Sequence, residues 1–278
     1  MHFIKYLSIL AVSLIFLNYN TIDLKKKKDK VKIVKTWEMP DELEEISGIS
    51  WIDNGRIAAI EDEDGVIYSY DLNTSKITKT IEFADDGDYE GVAVNGNNAY
   101  VMRSDGLLFE VRDYMSDSPK TRTYQSSMSH KNNVESLTLD AKNNRLLTAP
   151  KDEDPNDEDI KGIYAFDLNK RLMVPDLIFK IDMKDKALKD FKKKKSKRTF
   201  RPSDLAIHPQ TGEIYILEGV NPKLMILDVS GAIKKVYDLD SDDFAQPEGI
   251  TFSPEGRLFI SNEAHGGTAN ILEVKLKN

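Results

Sequence analysis

Short runs of alternating apolar and polar residues, separated by turns rich in Gly and Asn, follow one another along most of the chain. Residues 47–83 show the pattern: SGISWI, the turn DNGR, and then IAAIED, VIYSYDL and KITKTIEF. An alternation of period two places every second side chain on one face of a β-strand, whereas a helix repeats its apolar positions about every 3.6 residues. The pattern therefore predicts short strands joined by tight turns, in an all-β protein.

One unit of this kind recurs along the chain. Each copy starts with a similar phrase, and the five phrases are EISGISW (45–51), DYEGVAV (88–94), NVESLTL (133–139), PSDLAIH (202–208) and PEGITFS (247–253). The interval is 45 residues from Glu90 to Glu135 and 44 from Asp204 to Glu248. Four short strands per unit of this length are typical of propeller blades. We predict a five-bladed β-propeller with four-stranded antiparallel blades, and six blades are the alternative if an insertion hides strands.

The last unit is one strand short. It contains EGITFSP, RLFISNE and NILEVKL, and a spare strand, VKIVKTWEM, lies at 31–39. An unpaired sheet edge favours aggregation, so we expect this N-terminal strand to complete the last blade and close the ring. Residues 31–278 are then one propeller domain. Two charged insertions, 151–161 and 184–198, lengthen the third unit, and we expect both to be solvent-exposed loops.

The first thirty residues have a different composition. Residues 1–20 contain Lys5 followed by an apolar run to Leu17, which is short for a membrane span and typical of a signal peptide, with an uncleaved N-terminal membrane anchor as the alternative. Residues 21–30 include KKKKDK and are interpreted as a lysine-rich tether. We therefore expect an exported protein, periplasmic or associated with the cell envelope, which contacts the membrane only through this segment.

Composition narrows the classes of function. The formal net charge is −8, which disfavours nucleic-acid binding and suits cations or basic partners. The chain contains no cysteine, so disulfides, thiol chemistry and lipoprotein attachment are excluded. We expect a monomer.

The topology of a propeller brings the repeated acids together. The innermost strand of each blade starts on one face, here called the upper face, where the loops between second and third strands also lie. The alignment places Ser47, Glu90, Glu135, Asp204 and Glu248 at one position. Eight acids of the upper face are candidate metal ligands: Glu45, Glu61, Glu90, Glu135, Asp204, Glu218, Glu248 and Glu263.

Clustered carboxylates raise one another's pKa unless a cation lies between them, and Ca²⁺ binds six to eight oxygen atoms in proteins. Ca²⁺ is therefore the candidate cofactor. The alternatives are that the acids only accept hydrogen bonds from backbone amides of neighbouring blades, or that two of them form a catalytic pair. Arg103, Lys151 and His265 lie on the same face and are candidate contacts for an anionic ligand, although Arg103 and Lys151 could instead only neutralise neighbouring acids.

The phrases ELEEISGISW, DYEGVAV, NVESLTLD, RPSDLAIHPQTGEIYIL and QPEGITFSPEGRLFISNE together resemble those of the SdiA-regulated family, the YjiK-like proteins, over about residues 33–276. The resemblance implies a secreted or periplasmic bacterial propeller that is distantly similar to phytase-like esterases, with a metal such as calcium at the axial acids. It does not imply a settled activity.

Two functions follow as hypotheses. The first is an exported binding protein whose acidic mouth, with Ca²⁺, holds a small anionic ligand or an envelope component. The second is a metal-dependent phosphoesterase or lactonase-like hydrolase, in which Glu218 or Glu263 activates water. The basic run from Lys184 to Arg201 suggests either docking on anionic envelope lipid or polysaccharide, or pairing with the acidic loop 151–161.

Overall fold

A computed structural model describes residues 31–277 of the chain, so the predicted signal peptide or anchor (1–20) and tether (21–30) lie outside the described residues. The described part contains 21 strands and no α-helix. Its helical segments are four short 3-10 turns: Asp41–Leu43, Ala141–Asn143, Lys186–Leu188 and Ser196–Arg198. None of its helices is long and apolar enough to cross a membrane.

The strands form five antiparallel sheets, which are the blades. The first strand, β1 (Val31–Glu38), belongs to the last blade. Blade 1 contains β2 (Ile46–Asp53), β3 (Arg56–Glu61), β4 (Val66–Asp71) and β5 (Lys76–Glu82). Blade 2 contains β6 (Tyr89–Asn95), β7 (Asn98–Arg103), β8 (Leu107–Arg112) and β9 (Lys120–Gln125).

The remaining three blades follow in chain order. Blade 3 contains β10 (Thr138–Asp140), β11 (Arg145–Thr148), β12 (Ile160–Asp167), β13 (Leu172–Met173) and β14 (Phe179–Asp182). Blade 4 contains β15 (Asp204–Ile207), β16 (Ile214–Glu218), β17 (Lys223–Leu227) and β18 (Ile233–Asp238). Blade 5 contains β19 (Pro247–Phe252), β20 (Leu258–Asn262), β21 (Asn270–Leu276) and β1. The prediction of five blades is confirmed.

The ring closes as the sequence predicts. The inner strands contact one another in a cycle, β2 to β6, β10, β15, β19 and back to β2. Strand β1 pairs antiparallel with β21, with Val31 opposite Leu276 and Glu38 opposite Asn270. Trp37 of β1 is 4% exposed, and its Nε1 donates a hydrogen bond to the Leu72 carbonyl of blade 1 at 2.7 Å. The N-terminal strand thus completes blade 5 and also fastens it to blade 1.

Blade 3 departs from the four-strand pattern. Its outer edge is split into β13 and β14, which both pair with β12. The two charged insertions follow β11 and β14, and both are partly fixed rather than wholly exposed. Asp154 is buried in the first insertion, and its carboxylate accepts hydrogen bonds from the Gly162 amide at 2.7 Å and the Tyr164 hydroxyl at 2.9 Å. Leu188 is fully buried in the second.

Apolar side chains between adjacent blades form the core. Between blades 1 and 2, for example, Phe83, Tyr89 and Phe109 pack edge to face with ring centroids 5.0 to 5.5 Å apart. The inner strands approach so closely that a Cβ on Gly48 would lie 2.9 Å from the Glu90 carbonyl oxygen of the next blade. The inner strands, which carry the repeated acids, are thereby fixed around a narrow channel.

Candidate functional site

Six acids of the upper face form two groups. The first, here called the lysine cluster, consists of Glu90, Glu135, Glu248 and Lys151. The second, here called the acidic triad, consists of Glu45, Glu61 and Asp62, whose carboxylate oxygens lie within 4.8 Å of one another.

Lys151 is the centre of the lysine cluster. It follows β11 in blade 3, and its ammonium forms an ion pair with the Glu135 carboxylate, with side chains 13% and 4% exposed. The Asn133 amide also donates to Glu135 Oε1 at 2.8 Å. Glu135, Glu248 and Glu90 together raise the pKa of Lys151 although its burial opposes them, so the lysine is charged at neutral pH.

The cluster holds more acids than one lysine can balance. Burial and then the neighbouring Glu135 raise the pKa of Glu90 to about 10, so Glu90 holds a proton at neutral pH. Burial likewise raises the pKa of Glu135 and of Glu248, against the effect of Lys151. Lys151 and the proton on Glu90 thus neutralise two of the three carboxyl groups, which favours the neutralising role over the ligand-binding role for Lys151. A metal role for Glu90, Glu135 and Glu248 stays a prediction.

Asp204 does not share the position of the other repeated acids, so the sequence alignment is wrong there by one residue. Strand pairing places Ser203, rather than Asp204, at the position of Ser47. The Ser203 hydroxyl donates to the Pro247 carbonyl at 2.9 Å, as the Ser47 hydroxyl donates to the Tyr89 carbonyl at 2.8 Å. A one-residue shift turns a strand side chain to the opposite direction.

Asp204 instead joins three blades. The side chain is 1% exposed. Its carboxylate accepts hydrogen bonds from the backbone amides of Leu137, Leu205 and Ile250 at 3.3, 2.8 and 2.8 Å. Asp204 therefore serves the scaffold, as the alternative interpretation of the acids expects.

Glu218 is also occupied by a structural partner. It lies at the end of β16, and its Oε2 is 2.8 Å from the Lys223 ammonium, with both side chains at most 2% exposed. Burial raises the pKa of Glu218 and lowers the pKa of Lys223, whereas each partner favours the charged form of the other. A carboxylate held in a buried ion pair has no free oxygen pair for a metal ion.

The acidic triad differs because it contains no cation. Glu61 is buried at the end of β3, and its carboxylate accepts backbone hydrogen bonds from Glu63, at 3.3 Å, and from Asp64. Asp62 is half-buried, and its Oδ1 atom is fully buried with no hydrogen-bond partner among residues 31–277. Burial, followed by the charges of Glu45, Glu61 and Glu263, raises the pKa of Asp62 to about 7.

Asp62 is a residue of this site that is missing from the eight candidate ligands suggested by the sequence. The sequence signal was available, because Glu61 and Asp62 are adjacent acids at the end of a strand. Adjacent strand residues point in opposite directions, which argues against two neighbours sharing one site. Here β3 ends at Glu61, so the alternation of side chains along the strand does not apply to Asp62. Its carboxylate lies near those of Glu61 and Glu45.

Glu263 lies between the two groups. Its pKa is raised by burial and then by Glu45, and it is lowered by His265 and Lys151. The Gln246 amide donates to its Oε2. The loop after β20, which contains Glu263, is held next to blade 1 because the Ala264 amide donates a hydrogen bond to the Glu44 carbonyl at 3.0 Å. His265 is exposed, and the structure brings it near Glu263 as expected from the sequence.

Arg103 has an acidic partner of its own. Its guanidinium donates to both oxygens of Asp105, from Nε at 3.0 Å and from the terminal nitrogen at 2.8 Å. This fork-shaped pairing uses the donors that would bind an anionic ligand. The geometry therefore supports the neutralising alternative for Arg103.

The opposite mouth of the channel carries no charge. A cavity of about 290 Å³ opens there between the ends of the inner strands, and its lining includes Trp51, Val94, Leu139 and Phe252. No charged side chain lines this cavity, in contrast to the lysine cluster and the acidic triad of the upper face.

Comparisons with known proteins agree with the fold. The structure is similar to that of the glutaminyl cyclase of Myxococcus xanthus, with a TM-score of 0.62 and 15% identity over 89% of this chain and 96% of that chain. It is also similar to the PQQ-bound aldose sugar dehydrogenase of Streptomyces coelicolor, with a TM-score of 0.53 and 11% identity over 89% of this chain and 98% of that chain. At such low identities the likeness concerns the fold alone.

The sequence itself identifies the family. No curated protein matches it. The model of the SdiA-regulated family matches residues 24–265, which is most of the chain and includes the five repeated phrases. The chain therefore belongs to the SdiA-regulated family.

Proposed function

We propose that this protein is an exported binding protein whose acidic upper mouth holds Ca²⁺ at Glu45, Glu61 and Asp62. The observation that carries the proposal is the buried Oδ1 atom of Asp62, which has no hydrogen-bond partner among the described residues and lies in a group of three carboxylates. An unpaired buried carboxylate oxygen is costly unless a cation or a proton balances it. Export rests on the apolar run in residues 1–20.

The chemistry of the donors favours calcium. All three side chains offer carboxylate oxygens, and a hard cation such as Ca²⁺ prefers oxygen ligands, whereas zinc and copper sites usually include His or Cys. Glu45 is exposed, whereas the Glu61 carboxylate is held by backbone amides. These carboxylates of the triad therefore differ in their freedom to move. Ca²⁺ tolerates irregular and flexible geometry better than Mg²⁺ does.

The same geometry suggests what the mouth binds. Ca²⁺ takes about six to eight oxygen atoms, so three carboxylates leave positions for water or for a ligand. Glu263 lies close enough to Glu45 and Lys151 for both charges to affect it. An anionic ligand, such as a carboxylate or a phosphate, would bind at the remaining positions on the cation.

Binding fits the mouth better than hydrolysis. The two acids that a hydrolytic mechanism would use to activate water are Glu218 and Glu263. Glu218 pairs with Lys223 inside blade 4, and Glu263 accepts a hydrogen bond from Gln246. The buried ion pair makes Glu218 unsuitable as a base, so a hydrolytic mechanism would depend on Glu263 alone.

Calorimetric titration of Ca²⁺ into the chelator-treated protein tests the proposal. We expect saturable binding that the double change Glu45→Gln and Asp62→Asn lowers at least about tenfold, because two of the three ligands lose their charge. The matched control is Glu90→Gln with Glu248→Gln, which removes two carboxylates of the lysine cluster and should leave the affinity within about threefold. The proposal is wrong if the unchanged protein does not bind Ca²⁺, or if the control loses binding as strongly as the triad variant.

A further inference from the structure

A strongly basic segment lies between β14 and β15, on the upper-face rim of blades 3 and 4. Residues 183–203 contain ten lysines and arginines and two aspartates, a net charge of +8 in a chain whose total is −8. So many like charges repel one another, and a free loop would extend into solvent. The structure shows instead that the segment is fastened to the propeller.

Apolar and polar contacts hold the segment in place. Leu188 and Phe200 are fully buried in the core between blades 3 and 4. The Phe191 ring lies against the ammonium of the buried Lys223, 5.5 Å from it. Blade 4 therefore fixes where the lysines of this segment are displayed.

Only part of the positive charge is balanced within the protein. Lys184 pairs with Asp159, Lys197 with Glu153 and Arg201 with Asp152, so three cations meet the acidic insertion. Seven further exposed cations between β14 and β15 form what is here called the basic rim: Lys186, Lys189, Lys192, Lys193, Lys194, Lys195 and Arg198. The segment itself contains only two aspartates, Asp185 and Asp190, so its ten cations outnumber these five acids.

An exposed aliphatic side chain lies beside the basic rim. Val220, in the turn between β16 and β17, is 53% exposed. The next residue, Asn221, lies with its Oδ1 3.4 Å from the Lys193 ammonium. Lysines around an exposed aliphatic tip are suited to a surface that is negatively charged outside and apolar just beneath.

We infer that the basic rim, with Val220, docks on a membrane surface rich in anionic lipid. Lys and Arg side chains are attracted to anionic headgroups, and an aliphatic side chain gains by entering the boundary between headgroups and acyl chains. A soluble polyanion would satisfy the lysines but would give Val220 no apolar environment. The presence of Val220 therefore favours lipid over polysaccharide.

This contact is separate from any contact through the N-terminal segment. Strand β19 starts at the upper face, and β20, β21 and β1 alternate in direction after it. Strand β1 therefore begins at the lower face, on the side opposite to the basic rim.

Flotation with lipid vesicles tests the inference. The full chain is mixed with vesicles of phosphatidylcholine alone or with vesicles that also contain about 30% phosphatidylglycerol. The increase in vesicle binding caused by phosphatidylglycerol is measured at low and high salt. Binding to phosphatidylcholine alone reports the N-terminal segment. We expect that changing Lys192, Lys194 and Lys195 to Gln lowers the increase about 100-fold, and that Val220→Ser lowers it about fivefold.

The matched control changes three exposed lysines of the lower face, Lys76, Lys120 and Lys142, to Gln. It removes the same charge and should leave vesicle binding nearly unchanged. Dextran sulfate serves as the soluble polyanion. The inference is overturned if the control weakens vesicle binding as much as the rim variant does. It is also overturned if Val220→Ser has no effect on vesicle binding while changing the three rim lysines abolishes dextran sulfate binding. That result would assign the surface to a soluble polyanion.

Discussion

Replacement of Glu90 by Gln should stabilise the protein, and more so at higher pH. The pKa of Glu90 is raised to about 10 in the folded protein from 4.5, chiefly by burial and by Glu135. Between these two values the folded state binds one more proton than the unfolded state at this site. The free energy of unfolding therefore falls as the pH rises through this window. Gln has nearly the same shape as Glu but cannot titrate. The Glu90→Gln variant therefore lacks the fall in the free energy of unfolding that the titration of Glu90 causes.

The pKa values set the size of the effect. One pH unit is worth about 1.4 kcal/mol for a group that is protonated in only one of the two states. From pH 5.5 to pH 7.5 the advantage of Glu90→Gln over the original protein should therefore grow by at most about 3 kcal/mol. Lys151 and Glu135 share the proton and charge balance of the cluster, which reduces the expected growth to about 1–2 kcal/mol.

Urea unfolding of both proteins at pH 5.5, 6.5 and 7.5 measures the difference. The control is Glu82→Gln, which makes the same change of side chain at an exposed position on the outer strand β5. The reasoning is refuted if the difference between Glu90→Gln and the original protein is the same at all three pH values, or if it shrinks as the pH rises.

Two further changes test the scaffold roles of acids that the sequence suggested as metal ligands. Asp204→Ala leaves three backbone amides without their acceptor and should lower the free energy of unfolding by about 3 kcal/mol or more. The Ca²⁺ affinity in the calorimetric titration should stay the same. Loss of Ca²⁺ binding in a folded variant would contradict the scaffold role. Lys223→Met leaves Glu218 buried without its partner and should cost about 3–5 kcal/mol in urea unfolding. Adding Glu218→Leu should recover most of that loss, and a single change that costs under about 1 kcal/mol would contradict the ion pair's importance.

The case of Asp204 shows where pattern reading fails. The alignment of the five phrases matches Asp204, the one acid of PSDLAIH, to the glutamates of the other phrases. Alignment by the apolar residues that follow, Leu205 and Ile250, matches Asp204 to Gly249 instead. Side chains alternate along a strand, so one position decides whether the carboxylate reaches the channel mouth or the neighbouring blades' amides.

The balance of charge at the mouth could not be read from the repeat. Lys151 lies at a position where other blades have acids, and the sequence left open whether it binds a ligand or neutralises its neighbours. Its partners come from three blades, with Glu90 in blade 2, Glu135 before blade 3 and Glu248 in blade 5. Distances between side chains of separate blades depend on how the ring closes, and only the assembled propeller fixes them.

The sequence by itself determined the architecture. Strand identity comes from local alternation, blade number from the repeat interval, and ring closure from one missing and one spare strand, all of which are properties of neighbouring residues or regular spacing. The tertiary structure decided which acids are paired, protonated or left without a cation. Ionisation depends on burial and on charges a few ångströms away, and in a propeller those charges belong to residues that are distant in the chain.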